Sequence, residues 1–233
     1  MRILVTGANR GLGFELVRTW IAQGHDVWGS ARSDAPDALL GLDPAGVIQL
    51  DLGDEASIVD GISVLSTELD GLDLLVNCAG IDARALGVVD APRGPFDVAA
   101  DVFTEVIRIN ATGPMIVTRE ALPLLHAGTG SMVVNVSSQL GSMQVGATQG
   151  RDTSYCVSKA ALNMWSVKAA AALQSDGITV VMLHPGWVST DMGGPSAQLT
   201  PAESASAIAE TVAALGPADS GRFINWDGSD HPW

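Results

Sequence analysis

Met1-Arg2-Ile3-Leu4-Val5-Thr6-Gly7-Ala8-Asn9-Arg10-Gly11-Leu12-Gly13 decides the fold. A run with the composition of a core strand turns at once into a glycine-rich loop, and a helical pattern starts near Gly11. Glycines at such a junction permit a tight turn, let the backbone approach a pyrophosphate, and let the helix close against the strand. The helix N-terminus adds free N–H groups and positive potential. Strand, loop and helix in that order predict a dinucleotide site. The spacing is G-x-x-x-G-x-G, not the G-x-G-x-x-G of other dinucleotide folds.

Beyond this loop, short apolar runs alternate with helical patterns along the whole chain. Strands are expected at 2–6, 26–30, 47–50, 72–77, 131–136, 178–183 and 222–224, and helices from near Gly11, Asp54, Val98, Ala111, Ser154 and Pro201. Thr200 before Pro201 reads as a cap followed by a first-turn proline. Alternation of this kind predicts an α/β fold: a single-domain, doubly wound, Rossmann-type parallel sheet of about seven strands with helices on both faces. No linker divides residues 1–233. The longest irregular stretches, 81–96 and 139–153, both follow strands at the carboxyl edge of the sheet, where sites of this architecture are built.

Composition narrows the function. The 233 residues carry a formal charge of −14, which argues against nucleic acid or an anionic membrane as partner. Hydrophobic residues make up 47% of the chain and mean hydropathy is +0.27, ample for a core, yet no apolar run reaches membrane-spanning length. The N-terminal residues lack a secretory pattern. Cys78 and Cys156 have neither metal-ligand nor redox spacing, so buried free thiols, a cytoplasmic location and no metal are expected.

Tyr155 and Lys159 in Y-C-V-S-K stack one turn apart on a helix. An ammonium beside a phenol favours the phenolate, so the tyrosine is expected to fall from its reference of ~10 toward working pH. Such a phenol exchanges a proton with a carbonyl oxygen or an alcohol. By itself the pair equally describes a solvated aromatic beside a solvated charge.

T-G-A-N-R-G-L-G at 6–13, N-C-A-G at 77–80, N-V-S-S at 135–138, Y-C-V-S-K at 155–159 and H-P-G-W-V-S-T at 184–190 stand in an order and at separations that resemble the short-chain dehydrogenase/reductase family. The resemblance covers the whole chain. Its C-terminal half, with F-I-N-W-D-G at 223–228, is similar to the C-factor-like, carbonyl-reductase-like branch. The resemblance implies a catalytic set of Asn110, Ser138, Tyr155 and Lys159. Tyr155 would pass the proton, and Lys159 would tune it and hold the nicotinamide ribose. Ser138 would bond the substrate oxygen, and Asn110 would bend a helix and anchor a relay water. Ser137 and Ser138 cannot both face one cleft from an extended strand. The family pattern selects the second, leaving Ser137 to bond nearby backbone. Asn110 can also be read as a helix boundary or cap.

For the cofactor, the resemblance implies contacts from Gly7, Asn9, Arg10, Gly11, Leu12 and Gly13 in the loop, and from Asp51 and Leu52 near adenine. Asn77, Ala79 and Gly80 would wall the adenosine, and Pro185, Gly186, Val188 and Thr190 would lie by the nicotinamide. The second strand ends Gly29-Ser30-Ala31-Arg32, without the carboxylate that would bond a ribose 2′-hydroxyl. Arg10 and Arg32 converging on one spot suit a phosphate dianion, so NADP(H) is preferred and NAD(H) remains open. Two surface arginines capping carbonyls are the other reading.

Met143, Gln144, Trp187 and Met192 are expected to line a substrate pocket with Ser138 and Tyr155. That pocket would be built from loops 81–96, 139–153 and 186–200, with Arg151 a further polar contact. A mainly apolar carbonyl compound or alcohol fits such a lining, although ordinary loop packing accounts for the same residues. His184 is assigned no role. The family forms dimer contacts through helices equivalent to 111–126 and 160–173, so a homodimer or tetramer is expected, while helix propensity alone explains the alanines. Trp226 and Trp233 are read as covering a hydrophobic edge or interface. The activity implied is NADPH-dependent reduction of a ketone or aldehyde. NADP-dependent oxidation of a secondary alcohol, or a signalling protein with incidental catalysis, are the alternatives.

Overall fold

A computed structural model of the chain describes residues 1–89, 93–148 and 150–233, without the side chain of Ala147. Residues 90–92 and 149, within the expected loops 81–96 and 139–153, lie outside the described residues. The strands are β1 (Arg2–Val5), β2 (Asp26–Ala31), β3 (Gly46–Gln49), β4 (Leu74–Asn77), β5 (Met132–Val136), β6 (Thr179–His184) and β7 (Phe223–Asn225). They form one parallel sheet in the order β3-β2-β1-β4-β5-β6-β7. The order reverses direction between β1 and β4, which opens a crevice at their carboxyl ends. All seven expected strands are present, with ends displaced by one or two residues.

Both sheet faces are covered, as a parallel sheet requires. Ile3 and Val5 of β1 point to one face and Leu4 to the other. The first face packs on α1 (Gly11–Ala22) and α7 (Pro201–Ala214), through Leu16, Val17, Trp20, Ile208 and Val212. The short α2 (Asp37–Leu40), for which the sequence offered no pattern, adds Leu39 there. The second face packs on α3 (Glu55–Glu68), α5 (Gly113–Ala127) and α6 (Thr153–Leu173), through Ile58, Leu65, Val117, Leu125 and Ala170. The expected start of α7 takes the form of a capping box. Thr200 Oγ1 accepts the Glu203 N–H at 3.2 Å, and the Glu203 carboxylate accepts the Thr200 N–H at 2.8 Å. Such a cap contributes about 1 kcal/mol.

The helices expected from Val98 and Ala111 are joined. The first runs as α4 (Ala100–Ile107), the chain widens into a π-turn at Arg108–Thr112, and the second follows as α5. Past β7, a turn at 225–229 returns the chain along the strand: His231 N–H donates to Phe223 O at 2.8 Å. Trp226 lies against the first core face, and the Trp233 ring stands 5.6 Å from Phe223.

Candidate active site

The glycine loop links three strand ends. Gly7 has φ +69°, and a Cβ there would lie 2.8 Å from Ala79 Cα. A Cβ on Gly13 would lie 2.3 Å from Gly7 O, so α1 can close on the loop only with glycine there. Thr6 Oγ1 accepts the N–H groups of Cys78 and Ala79 at 3.0 and 3.1 Å, and Ala8 N–H donates to Ser30 O at 2.8 Å. Arg10 caps α1 without a side-chain bond, and the first turn holds no acidic residue. The leading N–H groups of α1 are therefore left for an anion, and a dinucleotide pyrophosphate fits them.

Around this loop the expected contacts divide. Asn9, Arg10 and Arg32 are exposed, while Gly11 and Leu12 are half-buried. Arg10 is ion-paired with Asp191, just past Thr190, instead of converging freely with Arg32. The pairing joins the glycine loop to the segment after β6; across the same gap a Cβ on Gly11 would sit 3.3 Å from Thr190 Cγ2. Asp51 Oδ1 accepts the Gly53 N–H at 2.9 Å and Leu52 is buried. Asn77 departs from its expected place in the wall. Its amide is turned into the sheet, donating to Asn135 Oδ1 at 2.8 Å and Thr118 Oγ1 at 3.2 Å. Gly80 faces Asn110 and Lys159: its Cβ would lie 3.2 Å from Asn110 Oδ1 and 3.6 Å from Lys159 Nζ.

Ser138 ends the β5 segment, 8% exposed, with its Oγ accepting the Leu140 N–H at 3.1 Å. Tyr155 and Lys159 lie on α6, and Lys159 Nζ is 5.7 Å from the centre of the phenol ring. That ammonium donates to Val136 O at 2.8 Å. Asn110, in the π-turn, holds Ile81 from both sides: Oδ1 accepts its N–H at 2.8 Å and Nδ2 donates to its carbonyl at 2.7 Å. Asn110 Nδ2 also donates to Ser158 Oγ at 3.0 Å, and Ser158 Oγ donates to Tyr155 O at 2.7 Å. One asparagine therefore ties the β4 loop to the helix that carries Tyr155.

The electrostatics correct one expectation. Burial raises the Tyr155 phenol above its ordinary value; hydrogen bonding with Ser138 opposes this, and the negative charge of Asp82 adds to it. Burial also lowers Lys159 to about 8. In a site this dry desolvation is the largest influence on each group, so proximity alone does not produce a phenolate. Burial likewise pushes the Cys78 thiol up to about 12, although both cysteines are half-buried and not sealed as expected. His184 is buried, held at about 4 by that burial, and packed edge-on against Trp226 and His231.

The rim combines local and long-range contacts. Met143, Gln144 and Trp187 are exposed, with Met143 74% accessible. Trp187 Nε1 donates to Gly193 O at 2.8 Å, and Val188 bridges Leu199, folding the 186–200 segment back on itself. Arg84 pairs with Asp82 and donates to Met192 O at 2.6 Å, joining the β4 loop to that segment. Arg93 pairs with Asp152 at 2.6 Å, and Gln144 N–H donates to Trp233 O at 2.8 Å. Arg84, Arg93, Asp152 and the tail at Trp233 escape sequence reading because they reach partners tens of residues away. Ser137 differs from expectation as well: its hydroxyl donates to the side chain of Asn163 at 2.6 Å, not to backbone. Among the described residues, no three or more His, Cys, Asp or Glu side chains gather as a metal site, and no helix is long and apolar enough to cross a membrane.

A family model described as short chain dehydrogenase matches residues 1–199. The chain belongs to the short-chain dehydrogenase family. It is an oxidoreductase of that type, built on the family's Rossmann-like single domain. A solved structure of an NADPH-bound carbonyl reductase from chicken fatty liver superposes with a TM-score of 0.90 at 31% identity, covering 100% of this chain and 98% of that one. The C-signal protein of Myxococcus xanthus is 40% identical over 164 residues, 70% of this chain and 93% of that protein. The 1-hydroxy-2-glutathionyl-2-methyl-3-butene dehydrogenase of Rhodococcus sp. (strain AD45) is 30% identical over 99% of both chains. These relatives agree with the branch to which the C-terminal motifs pointed.

Proposed function

We propose that this chain is an NADPH-dependent carbonyl reductase, with Asn110, Ser138, Tyr155 and Lys159 as its catalytic set. The observation that carries the reading is the meeting of the Ser138 hydroxyl and the Tyr155 phenol beside Lys159 at the carboxyl edge of the sheet. A phenol held above its ordinary value stays protonated at neutral pH, so the proton it would give is in place, although burial makes it a weaker acid. When bound, the nicotinamide cofactor supplies the hydride to the carbonyl carbon. Tyr155 gives its phenolic proton to the carbonyl oxygen, and the Ser138 hydroxyl fixes that oxygen as charge develops on it. Lys159 takes up the ribose hydroxyls, and Asn110 holds the β4 loop in register with α6. An alcohol leaves; the reverse proton path serves oxidation of a secondary alcohol.

NADP(H) is favoured over NAD(H) by the exposed Arg32 and the absence of a carboxylate at the end of β2. The NADPH-bound carbonyl reductase at 31% identity supports the same choice. Met143, Trp187 and Met192, with Gln144 at the edge, would receive a small carbonyl substrate. The exposed Val157 and Met164 on α6 support a homodimer through that helix, and the two free cysteines accord with a cytoplasmic setting. A second reading, a signalling protein with incidental catalysis, is favoured only by the similarity to C-signal.

The test is NADPH oxidation, with NADH in parallel, against aldehydes, ketones, diketones and quinones. Turnover that prefers NADPH and vanishes in Tyr155→Phe supports the reductase. Tight NADPH binding without turnover on any carbonyl would move the assignment to signalling. Arg32→Asp should weaken NADPH at least about tenfold more than NADH, and an equal effect on both would remove Arg32 from the 2′-phosphate site.

A further inference from the structure

Lys159 and Asn163 stand one turn apart on α6, and both reach the end of β5. Lys159 Nζ holds Val136 O at 2.8 Å, and Asn163 Oδ1 accepts the hydroxyl of the next residue, Ser137, at 2.6 Å. Ser137 and Asn163 are sealed from solvent, 2% and 3% exposed. Asn163 Nδ2 also lies 3.5 Å from Gly141 O, on the turn that follows Ser138. That turn is pressed on the helix, since a Cβ on Gly141 would come within 2.9 Å of the Lys159 backbone. Asn163 therefore grips the chain on both sides of Ser138.

Asparagine is a poor choice for the buried middle of a helix. Its helix propensity is low, and its amide costs stability unless bonded. A leucine would fill the space; the amide is needed only for what it binds. Adjacent strand residues point to opposite sides, so the setting of Ser137 is passed through one peptide to Ser138. The parallel tie from Lys159 is one that the proposed reaction asks its ammonium to share with the cofactor ribose. Asn163 faces no such competing demand.

We propose that Asn163, acting through Ser137, is the positioning residue that sets the Ser138 hydroxyl against the Tyr155 phenol. The inference rests on the reading of Ser138 and Tyr155 as the pair that holds the substrate oxygen. Its test does not require turnover, because Tyr155 is the only tyrosine in the chain. Protein labelled with [ζ-13C]tyrosine gives one phenol carbon resonance, and Ser138→Ala marks its position without the serine partner. Asn163→Leu should move the resonance toward that mark, yet leave it in place when Ser138→Ala is already present. Ser137→Ala, a gentler change should Asn163→Leu fold poorly, should do the same. Ser137→Thr, which keeps the hydroxyl, should restore the wild-type position.

In turnover, Asn163→Leu should lower kcat at least about tenfold with KM for NADPH unchanged, as expected for a small misplacement of the oxygen-binding group. The proposal is overturned if Ser137→Ala and every folded Asn163 variant keep the wild-type resonance. It is equally overturned if the shift is as large with Ser138→Ala as without it. A wild-type protein that reduces no carbonyl would count against the proposed reaction, while the resonance would still decide the role of Asn163.

Discussion

At the amino ends of β1 and β4, Asp73 receives the Arg2 backbone N–H at 2.7 Å, the Arg2 guanidinium at 2.8 Å and the Thr129 N–H at 2.9 Å. At the carboxyl end of the same sheet, buried Lys159 donates to the Val136 carbonyl at 2.8 Å. Burial acts against charge at both ends. At Asp73 it would raise the carboxyl, but the bonds from Arg2 and Thr129 outweigh it and hold the group at about 2. At Lys159 nothing outweighs it, and the ammonium falls to about 8. Asp73 is part-buried against a charged guanidinium and Lys159 is fully buried against a neutral carbonyl, and that difference in burial and in partners sets the sign. One end of the sheet is arranged for stability, and the other keeps groups whose charge the fold disfavours, as reactive sites commonly do.

The largest expected effect breaks the active end alone. Tyr155→Phe keeps the ring and its packing but removes the proton, so turnover should drop by about 10³-fold or more while NADPH binding and melting temperature hold. Steady-state kinetics with a binding titration check this. Survival of most turnover would mean that the raised phenol is an ordinary buried tyrosine.

Lys159→Met sharpens the contrast, because it should lose turnover and gain stability together. A lysine whose folded value of about 8 lies below its ordinary 10.5 penalises the fold fully below pH 8. The penalty fades as pH rises from about 8 to 10.5, where the folded lysine is already neutral. The variant should therefore be more stable than wild type by about 1–2 kcal/mol at pH 7, less whatever the unpaired Val136 carbonyl costs. That gap should close toward pH 10. Urea unfolding at pH 7 and pH 10 measures it; a variant less stable at both would place Lys159 among the stabilising groups.

The same contrast explains what the sequence revealed. The glycine loop is local: Gly7 and Gly13 meet backbone within a few residues or across adjacent strands, and residue type alone forecasts the turn. Strand count followed from apolar runs and the pairing of Tyr155 with Lys159 from spacing, while Asn110 and Ser138 were implied by the family resemblance. What escaped were pairings decided by the folded surface. Arg10 met Asp191 across 181 residues, Arg84 met Met192 across 108, and Asn163 met Ser137 from another element. The Tyr155 shift escaped for a related reason. Spacing places a lysine near a phenol, but only the packed structure says that both are dry.

Asp73→Asn is the smallest effect and the reverse of Lys159→Met. Removing the carboxylate strands part of the Arg2 guanidinium, which still has Asp70 at 2.6 Å, so a loss of about 1–2 kcal/mol is expected at pH 7. A carboxyl held near 2, below its ordinary 3.8, contributes fully above about pH 4 and loses that contribution as pH falls through 2. The gap between wild type and variant should stay constant from pH 7 to 5 and shrink toward pH 2, with turnover per folded molecule unchanged throughout the neutral range. For both Asp73 and Lys159, wild-type stability rises with pH through the window between folded and ordinary values. The windows differ: at neutral pH the aspartate has already delivered its gain, while the lysine still withholds one. Activity lost with Asp73→Asn in proportion to stability would mean that the two ends of the sheet are coupled, and the division between them would fail.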